Sequence, residues 1–537
     1  MSKKQSQYTK ASDSSNRKNE AHDACEAFLN ICGEFQLGKL ITEQPHPNTQ
    51  DLQELTVHQP EEAIRRLIHV DKDALSTLID PSVMGKIEKL SIAIRQCWER
   101  GGKVYLAGCG ATGRLCITLE ALARKRKDKP DASCPVVGFM AGGDAALIRS
   151  IENFEDHFEY GARQLQQLGF TAEDLCVGIS EGGETPFVIG AVERALSLGS
   201  ENVWFCYCNP DEILKEVASR SRRILENNSV QLLNLTCGPM ALSGSTRMQA
   251  CSVQYAAIGS ALFFGDTRED LQRALHQCLA LPDCLPIKPL AHLSCAEQAI
   301  YEAGAYLSYH ADSNYALSLL TDTTERSPTF SMRPFENHFD NPDPTQRSLC
   351  YFILKDSIHS EHAWHELLGR PPRCLDWPGH HQETSVDRLL GYDISNASPR
   401  AGRQVDGVPQ HHLFIIEFND SVNFELDGSA LVSLNIEKLS LMHQNLLMKL
   451  CLNMHSTVIM GRMARYEHNI MSWVKPANYK LIDRAIRYTQ QLTKAKQGND
   501  PSYEQCAYTL FSVIQNTEPT EPIVLKTVRM LTNTGEA

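Results

Sequence analysis

The chain has 537 residues, 42% hydrophobic and 22% charged, enough for two or three domains with ordinary cores and too balanced for a disordered or fibrous protein. Its formal net charge of −13 excludes a nucleic-acid binder, which needs a basic face to displace counterions from phosphates. An acidic chain that takes an anion must hold it through local donors, so a dedicated loop is expected.

From Met1 to about Glu20 the residues are Ser, Lys, Gln and Asn without an apolar stretch, which is neither a secretory signal nor a membrane anchor. Residues 1–50 read as a mostly disordered tail, with a short helix around 24–37. Between Pro60 and Arg100, the residues Ile64, Leu67, Ile68, Leu75, Leu78, Ile79, Ile87, Leu90, Ile94 and Trp98 recur mostly at three- and four-residue intervals and predict helices. Apolar strands are then expected at 104–107, 136–140, 175–179, 203–208 and 230–235. Helices are expected at 112–125, 145–168, 186–198 and from 248 to about 264. Continuous apolar strands alternating with helices predict a parallel sheet covered on both faces, with ligands beyond its carboxyl edge.

A helical connector is expected over 267–293. A second alternating region follows, with strands at 304–307, 349–354 and 412–418, and helices at 436–463 and 479–492. The expected fold class is α/β: two tandem domains, each a doubly wound, mainly parallel sheet flanked by helices, plus C-terminal helices. The boundaries read 51–266, 267–293, 294–465 and 466–537. The 18 cysteines stand singly, with no C-x-x-C pair or metal spacing, as reduced thiols of a cytoplasmic protein do. No apolar run approaches the ~18 residues of a membrane span.

The motif Gly108-Cys109-Gly110-Ala111-Thr112-Gly113-Arg114 follows a predicted strand and opens a predicted helix. Glycine lets the backbone turn tightly against an anion, and the helix N-terminus attracts negative charge. As a dinucleotide fingerprint it lacks an acid at the end of the next strand. Two further loops leave the same sheet edge: Ser180-Glu181-Gly182-Gly183-Glu184-Thr185-Pro186 and Ser243-Gly244-Ser245-Thr246-Arg247-Met248. N-capping by Ser and Thr explains each loop singly. Their agreement on one edge suits a phosphorylated polyol.

These loops, together with Ala141-Gly142-Gly143, the segment Glu152-Asn153-Phe154-Glu155-Asp156, and Gly238-Pro239 ahead of Leu242, resemble the sugar-isomerase (SIS) domain. More narrowly, the stretch from Gly102 to about Ala257 resembles the family that contains bacterial N-acetylmuramic acid 6-phosphate etherase and animal glucokinase regulatory protein. The resemblance implies that Thr112, Ser180, Gly182, Glu184 and Ser245 surround a phosphosugar, with Gly110, Gly113, Ser243 and Thr246 in the same loops, and that Glu155 contacts the sugar. Glu184 departs from the family, which has Ser or Arg there. A carboxylate at that place must face a sugar hydroxyl or a cation.

An etherase that removes lactate needs a carboxylate to exchange a proton with the sugar. The position of the family's acid falls on Leu122 here, with Glu120 nearby at a different helical angle. The missing segment is resembled instead by Thr321-Asp322-Thr323-Thr324-Glu325-Arg326-Ser327-Pro328-Thr329-Phe330 in the second half, with Glu325 in the acid/base position. The second half has Ser308-Tyr309-His310-Ala311-Asp312-Ser313 in place of a glycine loop. One composite site is therefore expected, the first half gripping phosphate and Glu325 reaching in; otherwise Glu325 is a helix-end residue or a surface relic. Arg462 matches a phosphate-binding Lys of the regulatory protein and could bind bidentately, or be a solvated helix cation. Gln249 and Tyr255 replace lysines common in the family. His359, His362 and His365 lack companions for a metal set.

The resemblance thus implies an amino-sugar or ketose 6-phosphate ligand and a lyase of the etherase type, with Glu325 as acid/base and Glu155 assisting, without metal or organic cofactor. A non-catalytic regulator that answers a phosphosugar by changing its grip on a sugar kinase competes with this reading, and an isomerase is a third.

Overall fold

The computed structural model describes residues 19–35, 37–125, 134–151, 154–340, 347–402, 404, 405, 407–476, 478–498, 500–515, 517 and 521–533. The first sheet has strands β1 (Val104–Gly108), β2 (Val136–Met140), β3 (Leu175–Ile179), β4 (Val203–Tyr207) and β5 (Gln231–Asn234), all parallel, in the order β2-β1-β3-β4-β5. Every residue of β1 to β4 is buried, because helices cover both faces and each face needs apolar side chains. Side-chain alternation divides β1 between two cores: Val104 and Leu106 join one, Tyr105 and Ala107 the other. The strand order reverses between β1 and β3, so the loops leaving these two strands diverge and frame a crevice at their carboxyl ends.

The second sheet is mixed. Strands β6 (Tyr306–Ala311), β7 (Cys350–Leu354) and β9 (Val408–Phe418) run parallel, while β9, β10 (Ser421–Leu426) and β11 (Ser429–Asn435) form an antiparallel meander; β8 (Gln404–Val405) pairs with β9. The last hairpin turns at Asp427-Gly428, both with positive φ, the conformation that lets a two-residue turn follow the strand twist. A single apolar core runs from β1 of the first sheet to β6 of the second. Between them lie the helices Gly110–Arg124, Ala316–Phe330 and Leu441–Arg462. The last is buried almost all round, which is why its apolar residues are not confined to one stripe.

Two stretches differ from expectation. Residues 1–18 and 36 lie outside the described residues, but 19–35 and 37–50 are ordered rather than tail. A helix over 19–29 buries Ala21, Cys25 and Phe28, and Cys32 follows on the same spacing, so this stretch has an apolar stripe of its own. Phe28 meets Tyr479 and Phe511 of the C-terminal helices, and Pro45 bridges Met240. The helix expected at 145–168 is instead a short turn, Asp144–Leu147, followed by a loop and the helix Phe158–Gln167. Gly142 and Gly143, at φ 85° and 67°, set that turn. Glu152 and Asn153 lie outside the described residues. Among those described, no helix is long and apolar enough to cross a membrane.

Candidate functional site

The helix Gly110–Arg124 starts where β1 ends. Gly110, at φ 49°, makes the turn, and Gly113 lets the helix press on β2, since a Cβ there would lie 2.4 Å from Cβ of Met140. Thr112 is consumed in the turn: its Oγ1 accepts from the Cys109 amide at 3.0 Å and donates to the Cys109 carbonyl at 2.8 Å. The first amides of such a helix have no carbonyl of their own turn to bind. At this helix start lies a cavity of about 140 Å³ whose wall includes Gly110, Ala111, Glu155, Glu181, Ser245, Thr246 and Arg247, together with Glu325, Lys480 and Arg484.

Glu325 comes from the other half of the chain. The helix Ala316–Phe330 carries it to the start of the Gly110–Arg124 helix, where Arg114 Nη1 donates to its Oε1. Arg114 is itself fixed by the carbonyls of Leu147 at 2.9 Å and Ala146 at 2.7 Å. Glu325 is 8% exposed, so it is no surface relic. Glu120, beside the position of the missing family acid, is tied into a buried cluster with Arg124, Arg370 and Arg373.

The cations are arranged with equal care. Arg247 donates from Nη1 to Asp322 at 3.1 Å and Asn453 at 3.2 Å, and from Nη2 to Ser456 at 3.3 Å. Lys480 Nζ lies 2.5 Å from Glu184, and Arg484 grips both carboxylate oxygens of Glu43 at 2.6 and 3.1 Å. Burial disfavours the Lys480 ammonium, but Glu184 and Glu155 outweigh it and raise its pKa. Glu184 is held by Lys480 on one oxygen and by Arg220, at 2.6 Å, on the other. Burial opposes its charge, yet the two cations bring its pKa down to about 2. The departure at Glu184 is thus resolved by cations.

Of the residues expected from sequence, Gly110, Glu155, Ser245, Thr246 and Glu325 share the cavity wall. Glu155 Oε1 accepts from Asn478 at 2.9 Å. Thr112, Gly113, Ser180, Gly182, Glu184 and Ser243 stand behind it and brace the loops: Ser180 Oγ accepts from the Gly183 amide at 3.0 Å, Ser243 Oγ donates to the Glu43 carbonyl at 2.7 Å, and the Gly182 carbonyl accepts from Asn209 at 3.0 Å. Arg462 is misplaced as a phosphate ligand. It donates to Gln298 at 3.0 Å and to the carbonyls of Thr56 at 3.0 Å and Val57 at 3.1 Å, so it closes the end of the helix Leu52–His58. Sequence reasoning missed Lys480, which lines the cavity one turn before Arg484 on the helix Tyr479–Gln497; the i,i+4 pair of cations was the available signal.

Three buried polar atoms in this wall have no hydrogen-bond partner in the protein: Ser245 Oγ, Glu181 Oε1 and Arg247 Nε. Most buried polar groups are paired, so these three atoms are candidates for contact with a polar ligand. Among the described residues, no three His, Cys, Asp or Glu side chains converge to hold a metal ion. The arrangement puts a helix start, a hydroxyl, cations and three carboxyls around a cavity of about 140 Å³. That set can fix an anion at one end and move protons at the other.

A model of the glucokinase regulatory protein N-terminal SIS domain matches residues 83–196. The chain is 32% identical over 231 residues to N-acetylmuramic acid 6-phosphate etherase 2 of Vibrio cholerae serotype O1, covering 41% of this chain and 65% of that protein. It is 35% identical over 219 residues to the N-acetylmuramic acid 6-phosphate etherase of Thermosynechococcus vestitus, covering 40% of this chain and 63% of that one. With the N-acetylmuramic acid 6-phosphate etherase of Yersinia pestis the figures are 33% over 223 residues, 41% of this chain and 68% of the relative. Among solved structures, the C-terminal domain of glucosamine-fructose-6-phosphate aminotransferase from Francisella tularensis is similar at 9% identity and a TM-score of 0.36, over 75% of this chain and 97% of that one. A phosphoheptose isomerase from Francisella tularensis is similar at 18% identity and a TM-score of 0.26, over 38% and 91%. With a third of the aligned residues identical over 68% of the Yersinia pestis protein, the chain belongs to the N-acetylmuramic acid 6-phosphate etherase family.

Proposed function

We propose that the chain binds an amino-sugar 6-phosphate in this cavity and acts on it as a carbon–oxygen lyase of the etherase type. The carrying observation is Glu325: a carboxylate from residues 294–465 lies in the same cavity wall as the glycine turn and Ser245 from residues 51–266. Phosphate is taken by the first amides of the Gly110–Arg124 helix, with Ser245 Oγ, Arg247 Nε and Lys480 beside it. Arg114 holds the Glu325 carboxyl in the cavity wall, in place to act as a base. Glu325 accepts the proton from the carbon next to the ether carbon, the bond to lactate breaks, and water adds across the double bond. Glu155 contacts a ring hydroxyl. None of the 18 cysteines is in a disulfide, which fits a reducing cytoplasm.

The test is lactate release from N-acetylmuramic acid 6-phosphate. Glu325→Gln keeps the shape and removes the base, so the rate is expected to fall at least about a hundredfold with binding retained. An unchanged rate sinks the assignment. The match of residues 83–196 to the regulatory-protein domain favours a second reading, in which the occupied cavity changes the chain's hold on a sugar kinase. Phosphosugar binding without lactate release, together with ligand-dependent capture of a purified sugar kinase, would select it.

A further inference from the structure

Glu181 sits where the loop after β3 meets the segment 243–248, in the wall it shares with Gly110, Ser245 and Glu325. Its main chain is held by the Cys208 amide, which donates to the Glu181 carbonyl at 3.0 Å. Its Oε2 accepts from Thr246 Oγ1 at 2.9 Å, while Oε1 is buried with no partner in the protein.

The charges around it come from three elements: Glu325 from the helix Ala316–Phe330, Lys480 from Tyr479–Gln497 and Lys449 from Leu441–Arg462. The buried thiols of Cys208 and Cys251 also face it. Neither lysine pairs with Glu181. Lys480 is committed to Glu184, and Lys449 donates to the Arg247 carbonyl at 2.7 Å and Ser252 Oγ at 2.9 Å. A carboxylate here would leave a buried oxygen bare and face Glu325 with like charge. A carboxylic acid has an O–H to give instead.

We infer that Glu181 is present as a neutral carboxylic acid in the ligand complex and donates from Oε1 to an oxygen of the bound phosphosugar. This rests on reading the cavity as a phosphosugar site. In the lyase the two carboxyls then divide the work: as Glu325 takes the proton from carbon, the electron pair forms the double bond, the ether bond breaks, and the departing lactate oxygen takes the Glu181 proton. When water adds, its oxygen bonds to carbon, its proton goes to the Glu181 carboxylate, and Glu325 returns its proton to the neighbouring carbon. Burial first, then Glu325, raises the Glu181 pKa to about 7, which the Thr246 hydrogen bond and the two lysines only moderate. A carboxyl of that kind is suited to donate near neutral pH.

The test compares the parent protein with Glu181→Gln, which keeps a donor but cannot titrate. Affinity for N-acetylmuramic acid 6-phosphate is measured by calorimetry from about pH 5.5 to about pH 8.5. Parent affinity should fall up to about tenfold per pH unit above about 7, and this fall should vanish in Glu181→Gln. Any titration of the ligand phosphate appears in both proteins and cancels. Glu181→Asp, still acidic, should retain the alkaline fall. If lactate is released, Glu181→Gln should lose at least about a hundredfold in kcat with little change in KM. An alkaline fall that survives in Glu181→Gln, or undiminished lactate release, overturns the role of Glu181 while leaving the phosphosugar reading intact. No binding heat with either protein overturns both.

Discussion

Glu325 and Arg114, from different halves of the chain, form an ion pair in which the arginine side chain is 1% exposed and the glutamate 10%. It joins the wall that would hold phosphate to the helix that would supply the base. Removing the acid outright, as in Glu325→Ala, leaves a buried guanidinium without its carboxylate, though the carbonyls of Ala146 and Leu147 and the Ser150 hydroxyl still meet it. A loss on the order of 3 kcal/mol is expected in urea denaturation at neutral pH. Glu325→Gln keeps an oxygen on Arg114 and should lose less than half of that. Equal losses for the two variants would mean that charge, not hydrogen bonding, holds the halves together.

Lys480 stands between Glu184 and the cavity. Lys480→Met should weaken phosphosugar binding at least about tenfold, the worth of one charge-assisted hydrogen bond. It also acts on stability. The folded pKa of Glu184, about 2, is below its unfolded value, so its contribution is full above the ordinary carboxylate range and is lost as pH falls toward 2. With Lys480 gone, Arg220 alone holds the carboxylate, so acid unfolding followed by circular dichroism should begin at higher pH. An unshifted acid transition would show that Lys480 does not hold Glu184 down.

How much of this was legible in the sequence depended on how local the signal was. The β1 turn, the Ser180 loop and the Ser243 loop each carry their chemistry in consecutive residues, and strand–helix alternation orders them on one edge. Glu325 was reachable because its segment resembles the one missing at Leu122. The antiparallel β10–β11 hairpin was missed although Asp427-Gly428 between alternating strands announces it. The cation wall was less legible: Glu43 and Glu184 lie hundreds of positions before the neighbouring pair Lys480 and Arg484, and meet it only because the helix Tyr479–Gln497 packs back against the first half of the chain. Arg462 was chosen by alignment to a lysine, and alignment does not tell which side of a buried helix faces the cavity.

Arg462→Ala provides a negative control. Arg462 serves helix-end carbonyls and Gln298, so phosphosugar affinity should be unchanged while stability falls by about 1 kcal/mol. A tenfold loss of affinity in calorimetry at constant stability would return Arg462 to the ligand site.

Asp71 is 2% exposed, with Oδ1 accepting from Gln249 Nε2 at 2.6 Å and Oδ2 without a partner. A neutral amide, not a cation, is thus the side chain that Asp71 meets at hydrogen-bond distance. Burial raises its pKa to about 7, and the Gln249 hydrogen bond and Lys449 only moderate the rise. Because the folded value lies above the unfolded one, the native state binds the extra proton between about pH 4 and about pH 7, and stability falls with rising pH across that window before levelling off. Asp71→Asn removes the titration and keeps a hydrogen-bonding side chain. It should match the parent near pH 4 and exceed it above pH 7 by on the order of 4 kcal/mol. Gln249→Lys should flatten the same slope by giving the carboxylate a cation and drawing its pKa down. Parent and Asp71→Asn stabilities that run parallel in urea from acid to mildly alkaline pH would show that Asp71 is already ionised in the native state.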